Sequence, residues 1–509
     1  MNEKGIKELL QNGECVTLEC KRATSEVPKS VWETYSAFAN TIGGVILLGI
    51  KENRKEPDIK KRFQIIGVDD AQKIVNDFWN TINSDKVNEN ILNSKDVDIV
   101  EIDNVQIVSI HVQQADWRIK PIYLNGNVYK GTYRRNHEGD YHCTERQVRA
   151  MIRDSFEDGN DSRLLEHYDM RDIDLDSLHR YRTLFKFRNE GHVWNEVDDI
   201  SFLRNLGGCT IDRESGKETL TVAGLIMFGT GLAVRERFAN FRMDYINMCN
   251  LIGDERYSDR LTYDGRWENN LFQFFSIVLP KISFDLPRPF KMVGLQRDDD
   301  TPQHKAVREA FTNSIIHCDL MMESGVLRIE KHDDKLVFRN PGLLRLPIEQ
   351  IFEGGVSYAR NPKIQNMLRM VGYGENLGSG FPTIISAWKD AKWGEPELKN
   401  KIEVDEVELV LPIPNKGSRN ARDTINDTIN DRINDRINDK INDKINDKIN
   451  DRIKTTYTII RLNPGIKRKD ISNISGKSLP TIDRHIDALT KDGLIEYRGS
   501  RKTGGYYVK

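Results

Sequence analysis

Three carboxylates and a lysine stand at positions where they could grip a divalent cation. The stretch ECVTLECK, residues 14–21, carries Glu14, Glu19 and Lys21. In a strand, alternate side chains share a face. Cys15, Thr17, Glu19 and Lys21 then line one face, Val16 and Leu18 the other, and Glu14 marks the strand's start. Hydrolysis of a phosphodiester with Mg2+ or Mn2+ needs carboxylates to hold the metal and a cation beside the developing charge. The third acid has to come from a neighbouring strand, and Glu52, closing VILLGIKE, is the candidate. Against this stands an ordinary strand with a solvated charged face, and spacing alone favours that reading.

Three further groups of residues carry chemistry. In KGTYRRNHEGDY, Tyr133, Arg134 and Arg135 interleave an aromatic ring with cations, a pattern suited to base stacking and phosphate contact. The competing reading is a charged edge strand that discourages aggregation. Glu309 and Asn313, four apart, share one helix face, where they could align a water and a magnesium ion near nucleotide phosphates. Near the C-terminus, Thr481, Arg484 and His485 lie on a helix-forming stretch, SLPTIDRHIDALTKDGL. A Gly-rich hairpin after it carries Arg498, Arg501 and Lys502. The N-terminal part of such a helix reads base edges in a helix-turn-helix, while Lys467, Arg468 and Lys469 suit phosphate.

Elements must position these groups. At 509 residues the chain is too long for one core. With 30% charged residues and a formal net charge of -2, it is not a uniformly basic nucleic-acid binder. Six scattered cysteines form no C-x-x-C pair, against a disulfide framework or a structural zinc. The N-terminus has no apolar signal core, and no apolar run approaches membrane-spanning length. A cytoplasmic protein with no membrane contact is expected.

The expected fold is a multidomain α/β chain. Residues 1–158 read as an α/β unit in which VILLGI is a strand buried on both faces, Gly43-Gly44 make a sharp helix-to-strand turn, and Thr144 caps the closing helix. Residues 159–299 read as a connecting α/β region. Residues 300–415 hold a helix (HKAVREAFTNSIIHCDL), a hairpin (VLRIEKHD, KLVFRN), NPG and ENLGSG. Residues 416–454 hold a tetrapeptide repeat, IND[KRT], that is read either as a solvated linker or as an element that assembles a homo-oligomer. Its period rotates the isoleucine stripe by about 40° per repeat and stacks like charges four apart. Residues 455–509 outline a winged helix-turn-helix.

The pattern E-x-x-x-x-E-x-K, then S-A-F-A-N-T-x-G-G, then G-I-K-E, resembles the Schlafen/AlbA-type domain. That resemblance implies nucleic-acid binding to RNA or DNA. In nuclease members it places Glu14, Glu19 and Glu52 in a metal site with Lys21 adjacent, and this chain departs by carrying Glu52 where those nucleases have Asp. Residues 300–415 resemble the GHKL-type, RecG-like C-terminal ATP-binding segment. This implies ATP as ligand, Glu309 as water activator, Asn313 as magnesium ligand and Gly378 to Gly380 as phosphate loop. Asn340, two residues before Gly342, stands where the family's adenine-reading Asp is expected. There is no Walker A sequence. Two functions follow. One is a metal-dependent nuclease directed at RNA, tRNA included, under nucleotide control in phage defence or stress response. The other is a nucleotide-responsive DNA-binding regulator without nuclease activity.

Overall fold

The structure is a computed structural model. It describes residues 3–12, 15–53, 55–56, 58–287, 292–293, 296–297, 300–322, 325–374, 380–414, 456–457, 459–460, 465–475, 478–491, 493–498 and 504–508. Glu14, Gly378, Arg501, Lys502 and the repeat at 416–454 lie outside the described residues. Two compact units divide the chain, Met1–Asn415 and Lys416–Lys509.

The first unit begins with strands β1 (Leu18–Lys21), β2 (Gly44–Leu48), β3 (Ile50–Glu52), β4 (Phe63–Ile65), β5 (Val97–Ile102), β6 (Val105–Val112), β7 (Tyr133–Asn136) and β8 (Gly139–His142). Four of them form a sheet in the order β1-β2-β6-β5, with β1 parallel to β2 and the other pairs antiparallel. The run GVILL packs on both faces, as a continuous apolar strand must. Ile46 and Leu48 face helices Ser30–Asn40 and Ala71–Ile82. Val45 and Leu47 face helix Glu3–Asn12 with Leu18 and Cys20. Gly43 has φ +79, and a Cβ there would stand 2.7 Å from the Val112 carbonyl oxygen, so only glycine makes this turn.

The opening strand is shorter than its alternation predicts. The Leu18 amide donates to the Cys15 carbonyl at 3.2 Å, closing a turn over residues 15–18 before β1 starts.

Beyond β8, helix Glu145–Asp154 starts at Thr144, whose side chain accepts from the Gln147 amide in a capping box. A short hairpin, β9 (Cys209–Ile211) and β10 (Glu218–Leu220), precedes β11 (Arg242–Asn247) and β12 (Asp259–Leu261). A second hairpin, β13 (Met292–Val293) and β14 (Gln296–Arg297), precedes β15 (Val326–Lys331), β16 (Lys335–Pro341), β17 (Glu397–Lys401) and β18 (Glu406–Pro412). The large sheet runs β12-β11-β15-β16-β18-β17.

This sheet removes a boundary that the sequence places at residue 299. Strand β11 pairs parallel with β15, Arg242 opposite Val326 through Asn247 opposite Lys331. One hydrophobic core runs from Leu165 to Leu411. The connecting region therefore completes the ATPase-like sheet instead of standing apart.

Across that sheet lies helix Pro302–Ile316. Thr301 caps it by accepting from the His304 amide, and Pro302 takes the first-turn position where no amide is needed. Its buried face carries Ala306, Val307, Ala310, Phe311 and Ile315. Phe311 is fully buried and stacks on Phe275 with ring centroids 4.8 Å apart. Phe311→Ala should lower stability by about 3–5 kcal/mol. Urea unfolding of the full chain checks this, and a midpoint unchanged from the parent protein would contradict the packing described.

Candidate functional site

The acidic edge comes first. Glu19 is 8% exposed. Its Oε1 lies 2.6 Å from Lys21 Nζ, and its Oε2 lies 2.8 Å from Arg135 Nη1. The angle to Arg135 makes no hydrogen bond, so Oε2 accepts none among the described residues. Arg135 is wholly buried. It donates to Asp140 Oδ1 at 2.9 Å and to the carbonyls of Cys15 and Leu18 at 3.1 Å each. Its guanidinium also lies over the Phe38 ring, 5.2 Å from the centroid. Glu19 is thus the counter-ion of a buried cation.

Glu52 goes elsewhere. Gly49, at φ +95, ends β2, and β3 pairs with β4 instead of continuing beside Glu19. Ile50 packs with Leu18 and Cys20, on the face of β1 opposite Glu19. Alternation gives Glu52 the face of Ile50. Among the described residues no three His, Cys, Asp or Glu side chains group so as to hold a metal ion. Glu19 is flanked by two cations and Glu14 lies outside the described residues, so the described residues alone do not complete the three-acid metal site that the spacing implies.

Arg134 and Arg135 do not form a phosphate-gripping edge either. Arg134 Nη1 pairs with Asp405 at 2.9 Å, and Nη2 donates to the Ile402 carbonyl. The Tyr133 ring packs on His142 at 4.3 Å. The cause is the motif before it. Ser36 Oγ accepts from the Tyr133 amide, Thr41 Oγ1 accepts from the Arg135 amide, and the Asn40 side-chain amide donates to the Tyr133 carbonyl. The polar letters of SAFANT are sockets that hold β7 down, which buries its arginines.

Four residues of the second set share one cavity. A cavity of about 990 Å³, counted out to its mouth, is lined by Glu309, Asn313, Asn340 and Gly380 together. That volume is in the range of small-molecule sites. Glu309 and Asn313 come from helix Pro302–Ile316, Asn340 from β16, and Gly380 opens helix Gly380–Ala391. Asn313 Nδ2 donates to Glu309 Oε1 at 3.2 Å. A Cβ on Gly380 would stand 2.1 Å from Glu309 Oε1 and 3.0 Å from Asn313 Nδ2. Asn340 is 5% exposed, and its Nδ2 has no hydrogen-bond partner. A backbone cradle that a Cβ would fill, an unspent amide and a carboxylate beside an amide fit a nucleotide carried with a divalent cation. Gly342, with φ +94, faces a neighbouring cleft instead.

Sequence reading missed the cationic wall of this cavity. Arg345, Arg360 and His317 also line it. Arg360 donates to the carbonyls of His317 at 2.8 Å and Leu343 at 2.7 Å. Burial, followed by the charges of Arg360 and Arg345, pulls His317 down to about 3, so it is a neutral imidazole at pH 7. No local motif marks these residues.

In the second unit, helices Arg468–Ser475 and Leu479–Lys491 precede β19 (Ile495–Arg498) and β20 (Gly505–Val508), which pair antiparallel. His485 is 9% exposed, with Nδ1 2.7 Å from Thr456 Oγ1. It shares the buried helix face with Ile482, Ile486 and Leu489, so it is a packed histidine and not a base reader. Thr481 is half-buried, its hydroxyl 2.9 Å from Ser478 Oγ. Arg484, Lys467 and Lys469 are exposed. Arg498 pairs with Glu496 at 2.5 Å.

The class of protein this defines is an α/β chain with an AlbA-like sheet, an ATPase-like sheet and a winged helix. Family models match four segments. Residues 14–144 match "Schlafen, AlbA_2", and residues 149–244 match a domain of unknown function. Residues 326–411 match "Putative ATP-dependent DNA helicase recG C-terminal", and residues 450–496 match "Winged helix-turn-helix DNA-binding". The chain therefore carries Schlafen-like, HATPase-like and winged-helix domains. No curated protein matches it. The crystal structure of the DIP2311 protein from Corynebacterium diphtheriae is 14% identical, with 97% of this chain and 95% of that chain covered and a TM-score of 0.39. The N-terminal domain of a RecG-related protein from Nitrosomonas europaea is 24% identical, covering 28% of this chain and 94% of that one, with a TM-score of 0.21. No helix among the described residues is long and apolar enough to cross a membrane.

Arg135→Met should leave Glu19 and Asp140 as buried carboxylates without their shared cation, costing about 3–5 kcal/mol. Chemical denaturation measures it. A variant as stable as the parent, but weaker toward nucleic acid, would return Arg135 to the surface role that the sequence implies.

Proposed function

We propose that this chain is a nucleic-acid-binding protein whose binding is set by a nucleotide in the Glu309–Asn340 cavity. The observation that carries the proposal is the convergence on one cavity of Glu309, Asn313, the unspent Asn340 amide and Gly380, against whose backbone the Glu309 and Asn313 side chains end. The RecG-type match over residues 326–411 supports it. In this reading Asn340 hydrogen-bonds the base edge. Gly380 lets the phosphate chain approach the backbone, where a side chain would block it. Asn313 would hold the accompanying Mg2+, which neutralises phosphate charge when bound, with Glu309 beside it as water activator. The winged helix supplies the DNA contact through exposed Arg484, Lys467 and Lys469, and the Schlafen-like sheet supplies a second nucleic-acid surface.

One observation favours the nuclease reading, with RNA as substrate: Glu19 Oε2 is a buried acceptor that accepts no hydrogen bond, beside Lys21. A metal-dependent cut of tRNA or single-stranded RNA that disappears in Glu19→Gln would establish it. Binding without cutting in Mg2+ or Mn2+ would leave regulation as the function.

The direct test is titration calorimetry of ATP with Mg2+, beside Gly380→Ala. The Cβ should weaken binding at least about tenfold, roughly 1.4 kcal/mol. Glu309→Ala should keep affinity within a few-fold. Fluorescence anisotropy of duplex DNA should then differ with and without ATP. Unchanged ATP affinity in Gly380→Ala, or no ATP binding at millimolar concentration, ends this reading.

A further inference from the structure

A second cavity of about 1540 Å³, counted out to solvent, opens where the Schlafen-like sheet meets the ATPase-like sheet, both in the first compact unit. Segments distant in sequence build it. Trp117 and Lys120 come from the loop after β6, Arg153 and Asp154 from the end of helix Glu145–Asp154, and Arg345 and Arg360 from the ATPase-like part. Seven basic side chains line it against four acidic ones, a surplus of three positive charges.

Arg134 pairs with Asp405, Arg149 with Glu145 and Arg153 with Asp319, and of the four remaining cations Arg146 is exposed while Lys120, Arg345 and Arg360 lie deeper. Deeper, Asp154 alone serves both Arg360, at 3.0 Å, and Arg345, at 3.5 Å. Lys120 has no carboxylate in the ion pairs of the described residues. Its Nζ donates to the Asn40 carbonyl at 3.1 Å. The field shows in the bases around Arg360. Burial and then the Arg360 charge pull Lys120 down to about 7 and Arg345 down to about 10.

Donors are also unspent. Trp117 Nε1, Arg153 Nε and Arg345 Nε are buried with no hydrogen-bond partner. Trp117 is 7% and Arg345 8% exposed, and the Arg345 guanidinium lies over the Trp117 ring at 4.1 Å. An unsatisfied buried donor costs stability, and a buried charge without its partner costs more. A fold that keeps three such donors and surplus positive charge around one cavity is built for an anion with several acceptor oxygens. Planar guanidinium forks and an ammonium favour phosphate.

We propose that the junction cleft lined by Trp117, Lys120, Arg153, Arg345 and Arg360 binds a phosphate monoester or diphosphate group, as a site separate from the nucleotide cavity. The phosphate could belong to a free mononucleotide or to the phosphorylated end of a strand. The two cavities share Leu343, Leu344, Arg345 and Arg360, so the test uses residues that line only one of them.

The experiment titrates the full chain, without Mg2+, with sodium pyrophosphate, AMP, and a short oligonucleotide bearing either a 5′-phosphate or a 5′-hydroxyl. Pyrophosphate should bind, about tenfold more weakly to Lys120→Met and unchanged to Gly380→Ala. A preference for the 5′-phosphorylated over the 5′-hydroxyl strand identifies a strand end, and binding of AMP with no strand preference identifies a free nucleotide. A second readout needs no variant: mass-spectrometric mapping of trinitrobenzenesulfonate labelling at Lys120, which pyrophosphate should suppress. Three results overturn the site. They are no pyrophosphate binding at millimolar concentration, equal affinity in Lys120→Met with no protection of Lys120, and loss in Gly380→Ala, whose position lines only the nucleotide cavity, with retention in Lys120→Met. The last would put the anion in the nucleotide cavity and leave the ATP-binding proposal standing.

Discussion

The carboxylate of Asp154 holds the first unit together at its junction. It ends helix Glu145–Asp154 and meets two guanidiniums from the ATPase-like part, Arg345 and Arg360. Burial alone would push this acid toward its neutral form. Arg360 and then Arg345 outweigh burial and hold it below the usual carboxylate range. Arg360 in turn donates to the carbonyls of His317 and Leu343, in the wall of the nucleotide cavity. A single charge on the Schlafen-like side thereby fixes backbone on the ATPase-like side.

Buried charge explains equally well why the most chemical-looking stretch is not a metal site in its described residues. A cation sealed in a core needs acids around it. Arg135 takes Glu19 and Asp140 for that purpose, and Lys21 covers what is left of Glu19. Charge balance accounts for the burial of Glu19 and Asp140 next to β1. The opposite imbalance holds at the junction cleft, where cations outnumber acids. Both places obey one rule, and only the cleft leaves it unsatisfied by the protein's own side chains.

How much of this was legible depended on how local the cause was. Thr144 and Thr301 announce helices because a cap acts within four residues. Glu309, Asn313 and Asn340 were readable as a set because each lies in a short motif on an element whose packing is set by alternation or helical spacing. The start of β1 was not, since the turn at Cys15–Leu18 overrides the alternation of ECVTLECK. Strand β11 was not, because its partner β15 begins more than eighty residues later and RMDYIN shows no clean period. Lys120, Trp117, Arg345 and Arg360 carry no motif at all. They become a group only when distant segments meet.

The shared wall carries the last step. Leu343, Leu344, Arg345 and Arg360 border both cavities. Arg345 stacks on Trp117 from the Schlafen-like side, and the Gln114 side chain from that side donates to the Leu344 carbonyl at 3.3 Å. A ligand that moves either guanidinium therefore changes the electrostatics of the other cavity and the contacts of the Schlafen-like sheet at once. Thermodynamic linkage makes such an effect reciprocal: whatever the nucleotide does to the cleft, an anion in the cleft does to nucleotide affinity. If both proposals hold, two phosphates would draw on the same pair of arginines and compete for one supply of positive charge, so the coupling between them would be negative.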